Sequence, residues 1–127
     1  MMKRALLATS ALLLAACASG GSPGEATRDR NLITAEEIAT VPITTAWELV
    51  SRLRPEWLRN RGPASMRASA PEYPVVYIDE VSSGGLEALQ RISSIAIAEV
   101  RFISARDAAT RFGLNHGGGA IMVKTRR

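Results

Sequence analysis

The chain has 127 residues, among them 16 Lys and Arg, 12 Asp and Glu and a single cysteine, and its formal net charge is +4. This length predicts one small domain, and a single cysteine excludes an internal disulfide, so the packing of the core has to stabilise the fold. The basic residues are scattered among acidic ones with little aromatic interleaving, which argues against nucleic acid as a partner.

The first sixteen residues follow the pattern of a secretion signal. Lys3 and Arg4 supply a positive start, and the apolar segment 5–16 that follows is too short to span a bilayer. Removal of this signal lowers the net charge from +4 to about +2, so the basic isoelectric point says little about binding partners.

A cleavage and lipidation motif ends the apolar segment. It resembles the lipobox of bacterial lipoproteins and consists of Leu14, Ala15, Ala16 and Cys17. The small residues suit an extended chain in a peptidase cleft, and the thiol is the soft nucleophile that accepts a diacylglycerol. We therefore expect a signal peptide over residues 1–16 and a lipid on Cys17. The alternative is ordinary cleavage near Ala16 or Ala18 that leaves a spare cysteine.

The segment 18–30 is rich in Gly, Ser, Pro and charged residues and lacks apolar periodicity. Such a composition is typical of a flexible tether. We therefore expect lipidated Cys17 and the tether to occupy residues 17–30, and a single folded domain to occupy residues 31–127.

The N-terminal part of this domain predicts a short strand at 31–33 and two helices. Thr34 followed by Glu37 matches a capping box and begins a helix that Pro42 stops. Thr44 or Thr45 can cap the second helix. The apolar residues of this second helix recur every three positions, which predicts one buried face that Trp57 extends; they are Trp47, Val50 and Leu53.

The C-terminal part predicts a β-rich arrangement. We expect strands at 75–78, 95–104 and 120–125, a short helix that begins after Gly85, a helix at 105–112 that Gly113 ends, and loops at 60–73 and 113–119. In the strand 95–104, Ala98, Val100 and Phe102 should face one way, and Glu99 and Arg101 the other. The fold class is α+β: a small mixed β-sheet with short helices packed on one face, carrying Trp47 and Leu89.

Several segments follow one another in an order that resembles the plug domain of TonB-dependent outer-membrane receptors. In that family a strand like Val75–Asp79 ends in a hairpin, and an apolar helix and an I-x-x-I-E-V strand follow, here residues 95–100. An aromatic-Gly pair comes next, here Phe112-Gly113, and a Gly-Gly-(Ala/Val)-Ile strand closes the domain, here residues 118–125. The resemblance covers residues 31–127, with a looser match over the helix 46–50. It implies a plug-like fold in the cell envelope and a link to outer-membrane uptake.

The departures from that family limit what the resemblance implies. Receptors carry a barrel after the plug and an apolar box before it that pairs with TonB. This sequence ends at Arg127 and its tether has no such box, so we expect neither feature. The hairpin holds Asp79-Glu80 where the family has Asp-Gly, which predicts a longer or differently shaped turn.

The residues with chemical potential do not form a catalytic set. His116, the only histidine, should be solvent-exposed or capping, and Asp79 and Glu80 should shape a turn. Gly117 and Gly118 precede a strand, whereas a phosphate-binding loop needs a helix after its glycines. We therefore expect no enzyme, no metal and no cofactor.

Two functions remain open. In the first, the anchored domain is an interaction module that docks onto an outer-membrane barrel, a transport component or a signalling domain, with a sheet edge available to a partner strand. In the second, it binds a siderophore, glycan or anion through the loops 60–73, 80–85 and 113–119. The residues proposed for partner or ligand contact are Asp79, Glu80, Arg111, His116, Gly117 and Gly118, with Arg61 and Arg67 as further anion contacts. Ala18 and Ser19 lack the aspartate that marks inner-membrane retention in enteric bacteria, so the resemblance to lipoproteins favours the outer membrane, where we expect the periplasmic face.

Overall fold

The computed structural model describes residues 28–60 and 72–127, which form one mixed five-stranded β-sheet with short helices on both faces. The strands are β1 (Leu32–Ile33), β2 (Val75–Ile78), β3 (Val81–Gly84), β4 (Ile97–Ile103) and β5 (Ala120–Thr125). The helices are α1 (Ala35–Ala39), α2 (Ala46–Leu53) and α3 (Ala105–Phe112), with 3-10 helices at Pro55–Leu58, Leu86–Arg91 and Ser94–Ala96. The α+β class is therefore confirmed.

The strand order is β1-β4-β5-β2-β3. β5 lies in the middle, antiparallel to β4 and parallel to β2, while β2 and β3 form a hairpin and β1 pairs antiparallel with β4. The short strands β1 and β3 are thus the two edges of the sheet. The predicted loop 80–85 is wrong, because residues 81–84 pair with β2 as a strand.

The helix boundaries follow from local capping. Thr34 and Glu37 form the expected capping box at the start of α1, and Thr45 caps α2 by accepting a hydrogen bond from the backbone N–H of Glu48. Ser104 caps α3, which ends at Gly113 with φ of +108°. α1 ends at Ala39, before Pro42, as the sequence predicts.

The main core lies between the first face of the sheet and α1, α2 and two of the 3-10 helices. Trp57 is 1% exposed and stacks on Phe102 with 5.7 Å between ring centroids, so its expected place in the core is confirmed. The other large residues that are wholly enclosed in this core include Ile33, Leu49, Val50, Val76, Leu89, Ile97, Val100, Ile121 and Val123. Trp47 and Leu53 pack against it partly buried.

A smaller core occupies the second face, so the expectation that helices cover only one face is wrong. α3 packs there through Ala108 and Phe112 on Tyr77, and the ring centroids of Tyr77 and Phe112 lie 4.2 Å apart. The reason lies in the strands, because β2 and β5 carry apolar residues on both of their faces.

The alternation in β4 is interrupted near its start. Val100 and Phe102 enter the main core, and Glu99 and Arg101 lie on the second face, as expected. The register shifts between Ile97 and Glu99, so Ile97 fills the core instead of Ala98. The strand also begins at Ile97, because Ser94–Ala96 forms a 3-10 turn.

Candidate functional site

The first candidate site is the outer edge of the β2–β3 hairpin. β3 has the sequence Val81-Ser82-Ser83-Gly84 and pairs with β2 through Ile78↔Val81 and Tyr77↔Ser82. In a hairpin with a two-residue turn, the two residues that flank the turn are hydrogen-bonded to each other. The residues of the next pair direct their backbone groups outward, so the N–H and C=O of Ser82 in β3 point away from β2. Val81 is 67% exposed, and within the described residues no strand pairs with the outer side of β3.

The opposite edge of the sheet is closed by the guanidinium of Arg54. Its Nη2 donates to the carbonyl of Leu32 in β1 at 3.1 Å and to Oε1 of Glu37 at 3.1 Å, and its Nε donates to the carbonyl of Arg30 at 3.3 Å. The side chains of Arg54 and Glu37 are only 12% and 18% exposed. The five N–H donors of arginine suit such a set of acceptors, so this edge is occupied by the fold itself.

The turn between β2 and β3 is built without glycine. Asp79 and Glu80 have φ of +46° and +71°, the left-handed conformation of a type I′ hairpin turn. The Asp79 carboxylate accepts hydrogen bonds from the backbone N–H of Thr125, at 2.9 Å, and from its hydroxyl. These bonds hold the pKa of Asp79 below its ordinary value, and they tie the hairpin to the end of β5. The expected turn-shaping role of these acids is confirmed.

Glu80 extends from this turn towards α3. Its Oε1 lies 3.6 Å from Nη2 of Arg111, and the two side chains are 78% and 53% exposed. Arg111 also lies over the ring of Phe112, with Cζ 5.3 Å from the centroid. The structure therefore brings Asp79, Glu80 and Arg111 together at one end of the sheet.

His116 is buried, at 8% exposure, so the expectation that it is solvent-exposed is wrong. Its Nδ1 donates to the carbonyl of Gly113 at 2.9 Å, just past the end of α3, and Nε2 lies 2.8 Å from the Tyr77 hydroxyl. Because the carbonyl can only accept, Nδ1 carries a proton, and in the neutral imidazole Nε2 accepts from the Tyr77 hydroxyl. The other expectation, a capping role for His116, agrees with its hydrogen bond to the carbonyl of Gly113 at the end of α3.

The glycines after His116 serve packing. A Cβ at Gly118 would lie 2.3 Å from the carbonyl carbon of Tyr73, and Gly119 has φ of +84°. β5 follows them, as the sequence predicts for a structural turn and not for a phosphate-binding loop. Asp79, Glu80 and Arg111 line a groove on the second face of the sheet, and His116, Gly117 and Gly118 do not line it.

The groove on the second face has a volume of about 850 Å³ and lies beside α3. Its walls include Glu80 and Arg111, but most of its basic residues were not singled out from the sequence. They are Arg101, Lys124, Arg126 and Arg127. The alternation of side chains along a strand could have indicated them, since Arg101 and Lys124 both point outward from neighbouring strands.

Several expected site residues lie outside the described residues: Leu14, Ala15, Ala16 and Cys17 in the N-terminal segment, and Arg61 and Arg67 in the loop 60–73. No helix within 28–60 or 72–127 is long and apolar enough to cross a membrane. In the same ranges no group of three His, Cys, Asp or Glu side chains could hold a metal ion.

Comparisons of the chain with models of protein families, with curated proteins and with solved structures give no match. The likeness to receptor plug domains therefore rests on the sequence motifs.

Proposed function

We propose that this chain is a lipoprotein of the bacterial cell envelope whose plug-like domain is a non-catalytic module that binds another envelope protein. The lipobox at Leu14–Cys17 supports the anchor, and the motif order over residues 31–127 supports the plug-like domain and a link to outer-membrane uptake. Lipid on Cys17 would keep the domain at the outer membrane on its periplasmic face.

The observation that carries the interaction role is the difference between the two sheet edges. Natural sheets protect their edges with charges, proline or covering segments, and Arg54 protects β1 in this way. β3 carries no charged residue and no proline, and Ser82 presents its backbone groups outward. An edge of this kind accepts an extended partner strand, whose main-chain hydrogen bonds supply affinity.

A proline at Ser82 tests this assignment. Ser82→Pro removes the outward N–H and leaves the hydrogen-bonded pair Ile78–Val81 in place, whereas Ser82→Ala keeps the N–H and is the matched control. We expect the wild type and Ser82→Ala to retain one dominant envelope protein after cross-linking in native membranes and purification, and Ser82→Pro to lose it.

Recovery of no protein above background with the wild type would refute the interaction role. Equal recovery with Ser82→Pro, in a protein of unchanged unfolding midpoint, would refute β3 as the contact.

A further inference from the structure

The second face of the sheet is only partly covered. α3 packs over β2 and β5 through Ala108 and Phe112, and beside it the side chains of β4 and β5 form the wall and floor of the groove. A volume of about 850 Å³ falls within the range of small-molecule sites. The groove is therefore large enough for a small organic ligand.

The walls of the groove carry five basic and three acidic side chains. The basic ones are Arg101, Arg111, Lys124, Arg126 and Arg127, and the acidic ones are Asp79, Glu80 and Glu99. The floor is apolar in part, with Ala98 and Met122 contributing to it. This composition combines an excess of positive charge with a surface for an apolar body.

Two of the three acidic side chains make contacts within the fold, and the third faces a lysine across the strands. Asp79 is held by Thr125, Glu80 lies 3.6 Å from Arg111, and Glu99 stands opposite Lys124 in the β4–β5 register. Opposite charges that face each other across two strands attract. Five basic and three acidic side chains leave the groove with an excess of two positive side-chain charges.

The positions of these cations are fixed by the backbone. Arg101 is paired with Met122 across β4 and β5, next to the pair of Glu99 and Lys124, so Arg101 and Lys124 lie diagonally across the same face. Beyond β5, the backbone N–H of Arg126 donates to the carbonyl of Ala96 at 2.8 Å and its Nε to the carbonyl of Ile97 at 2.9 Å. The basic end of the chain is therefore held against the mouth of the groove.

We propose that this groove binds a small organic anion that carries two or more carboxylate or phosphate groups on a compact body. Guanidinium groups match such oxyanions in geometry, and the apolar floor contacts the carbon skeleton of the ligand between them. The concave shape and the carboxylates of Glu80 and Glu99 at the walls disfavour a flat anionic membrane as the occupant. This site goes beyond the proposed interaction role, since it requires neither the anchor nor β3.

Calorimetric titration of the full chain, purified in neutral detergent micelles, tests the site. The probes are citrate and inositol hexakisphosphate at constant ionic strength, and the variants are Arg101→Gln and Lys124→Gln. Both residues are exposed, so both variants should fold. Arg91→Gln, which removes an exposed charge outside the groove, is the matched control.

We expect saturable binding of at least one probe with a Kd in the millimolar range or below. Affinity should fall about tenfold in each groove variant and stay within about twofold of the wild type in the control. Absence of saturable binding, or equal affinity in the groove variants and the control, would overturn the site. Binding only to phosphatidylglycerol vesicles, and not to the free anions, would assign the groove to a lipid surface and also contradict the proposal. Neither result bears on cross-linking through β3, so the two proposals fail separately.

Discussion

The hydroxyl of Tyr77 on β2 donates a hydrogen bond to Nε2 of His116, 39 residues further along the chain, at 2.8 Å. Both side chains are 8% exposed, and the ring of Phe112 stacks on Tyr77 and lies 5.5 Å from the His116 ring. This contact fixes the loop after α3 against the second face of the sheet. It connects the hairpin strand, the last helix and the final strand in one buried cluster.

Removal of the Tyr77 hydroxyl should therefore destabilise the domain. Tyr77→Phe keeps the stacking on Phe112 but leaves Nε2 of His116 buried without its donor, and such an unpaired group costs about 1–3 kcal/mol. Urea denaturation should show this loss at an unchanged m-value. Tyr73→Phe is the control, because Tyr73 is 50% exposed and its loss of a hydroxyl should have little effect. Equal stability of Tyr77→Phe and the wild type would refute the role of this bond.

Acid should weaken the link between Asp79 and Thr125. The hydrogen bonds from the Thr125 hydroxyl and backbone hold the pKa of Asp79 in the folded state below its ordinary value near 4. A lowered folded pKa gives a stability contribution that is complete above the ordinary pKa and is lost as pH falls through the folded pKa. Asp79→Asn should therefore reduce stability at neutral pH and flatten the dependence of the unfolding midpoint on pH below about pH 4. An identical acid dependence in Asp79→Asn and the wild type would contradict this assignment.

A glycine at the second turn position should stabilise the hairpin. Glu80 has φ of +71°, a conformation that costs a side-chain-bearing residue about 1–2 kcal/mol and glycine much less. The exposed contact between Glu80 and Arg111 offsets less than about 1 kcal/mol. Glu80→Gly should therefore raise the free energy of unfolding by about 1 kcal/mol, measured by thermal or urea unfolding. Glu80→Ala, which removes the same charge but keeps a Cβ, should give no such gain, and a loss of stability in Glu80→Gly would contradict the account.

The glycines on either side of His116 should differ in their tolerance of alanine. A Cβ at Gly118 would lie 2.3 Å from the Tyr73 carbonyl carbon and 2.8 Å from the Pro74 nitrogen, so backbone would have to move. Gly113 has nothing within 4 Å of such a Cβ, and its only cost is the positive φ of +108°. Gly118→Ala should therefore reduce the unfolding free energy by more than about 2 kcal/mol, and Gly113→Ala by about 1 kcal/mol. A lower unfolding midpoint for Gly113→Ala than for Gly118→Ala would show that the clash of the new Cβ with the backbone is not the main cost at Gly118.

Local patterns predicted much of the fold because they act over a few residues. The capping box of Thr34 and Glu37, the helix end at Gly113 and the strand Ala120–Thr125 were all correct, since each depends on neighbours in sequence. Residue preferences predicted a loop for β3, although the resemblance to plug domains implied a hairpin, because Ser82-Ser83-Gly84 has low strand propensity and pairing with β2 decides its conformation. The placement of Ile97 required the bulge opposite Lys124 and Thr125, a tertiary feature that alternation alone does not predict.

The candidate site was predicted less completely, because its parts meet only in the folded chain. Asp79 and Glu80 were correctly placed at a turn, yet Thr125 and Arg111, which they contact, lie tens of residues away in the sequence. His116 was predicted to be solvent-exposed beside glycines, and the approach of Tyr77 and Phe112 buries it. The role of Arg54 at the β1 edge likewise depends on acceptors 17 to 25 residues away.

The membrane-bound fraction of the Cys17→Ser variant tests the central claim most directly, because a module that acts at the envelope has to be held there. Cys17→Ser leaves residues 31–127 unchanged, so the variant should keep the wild-type unfolding midpoint. We predict that fractionation of cells will find the wild type in the outer-membrane fraction and Cys17→Ser released or mislocalised from it. An unchanged outer-membrane fraction for Cys17→Ser would contradict the account.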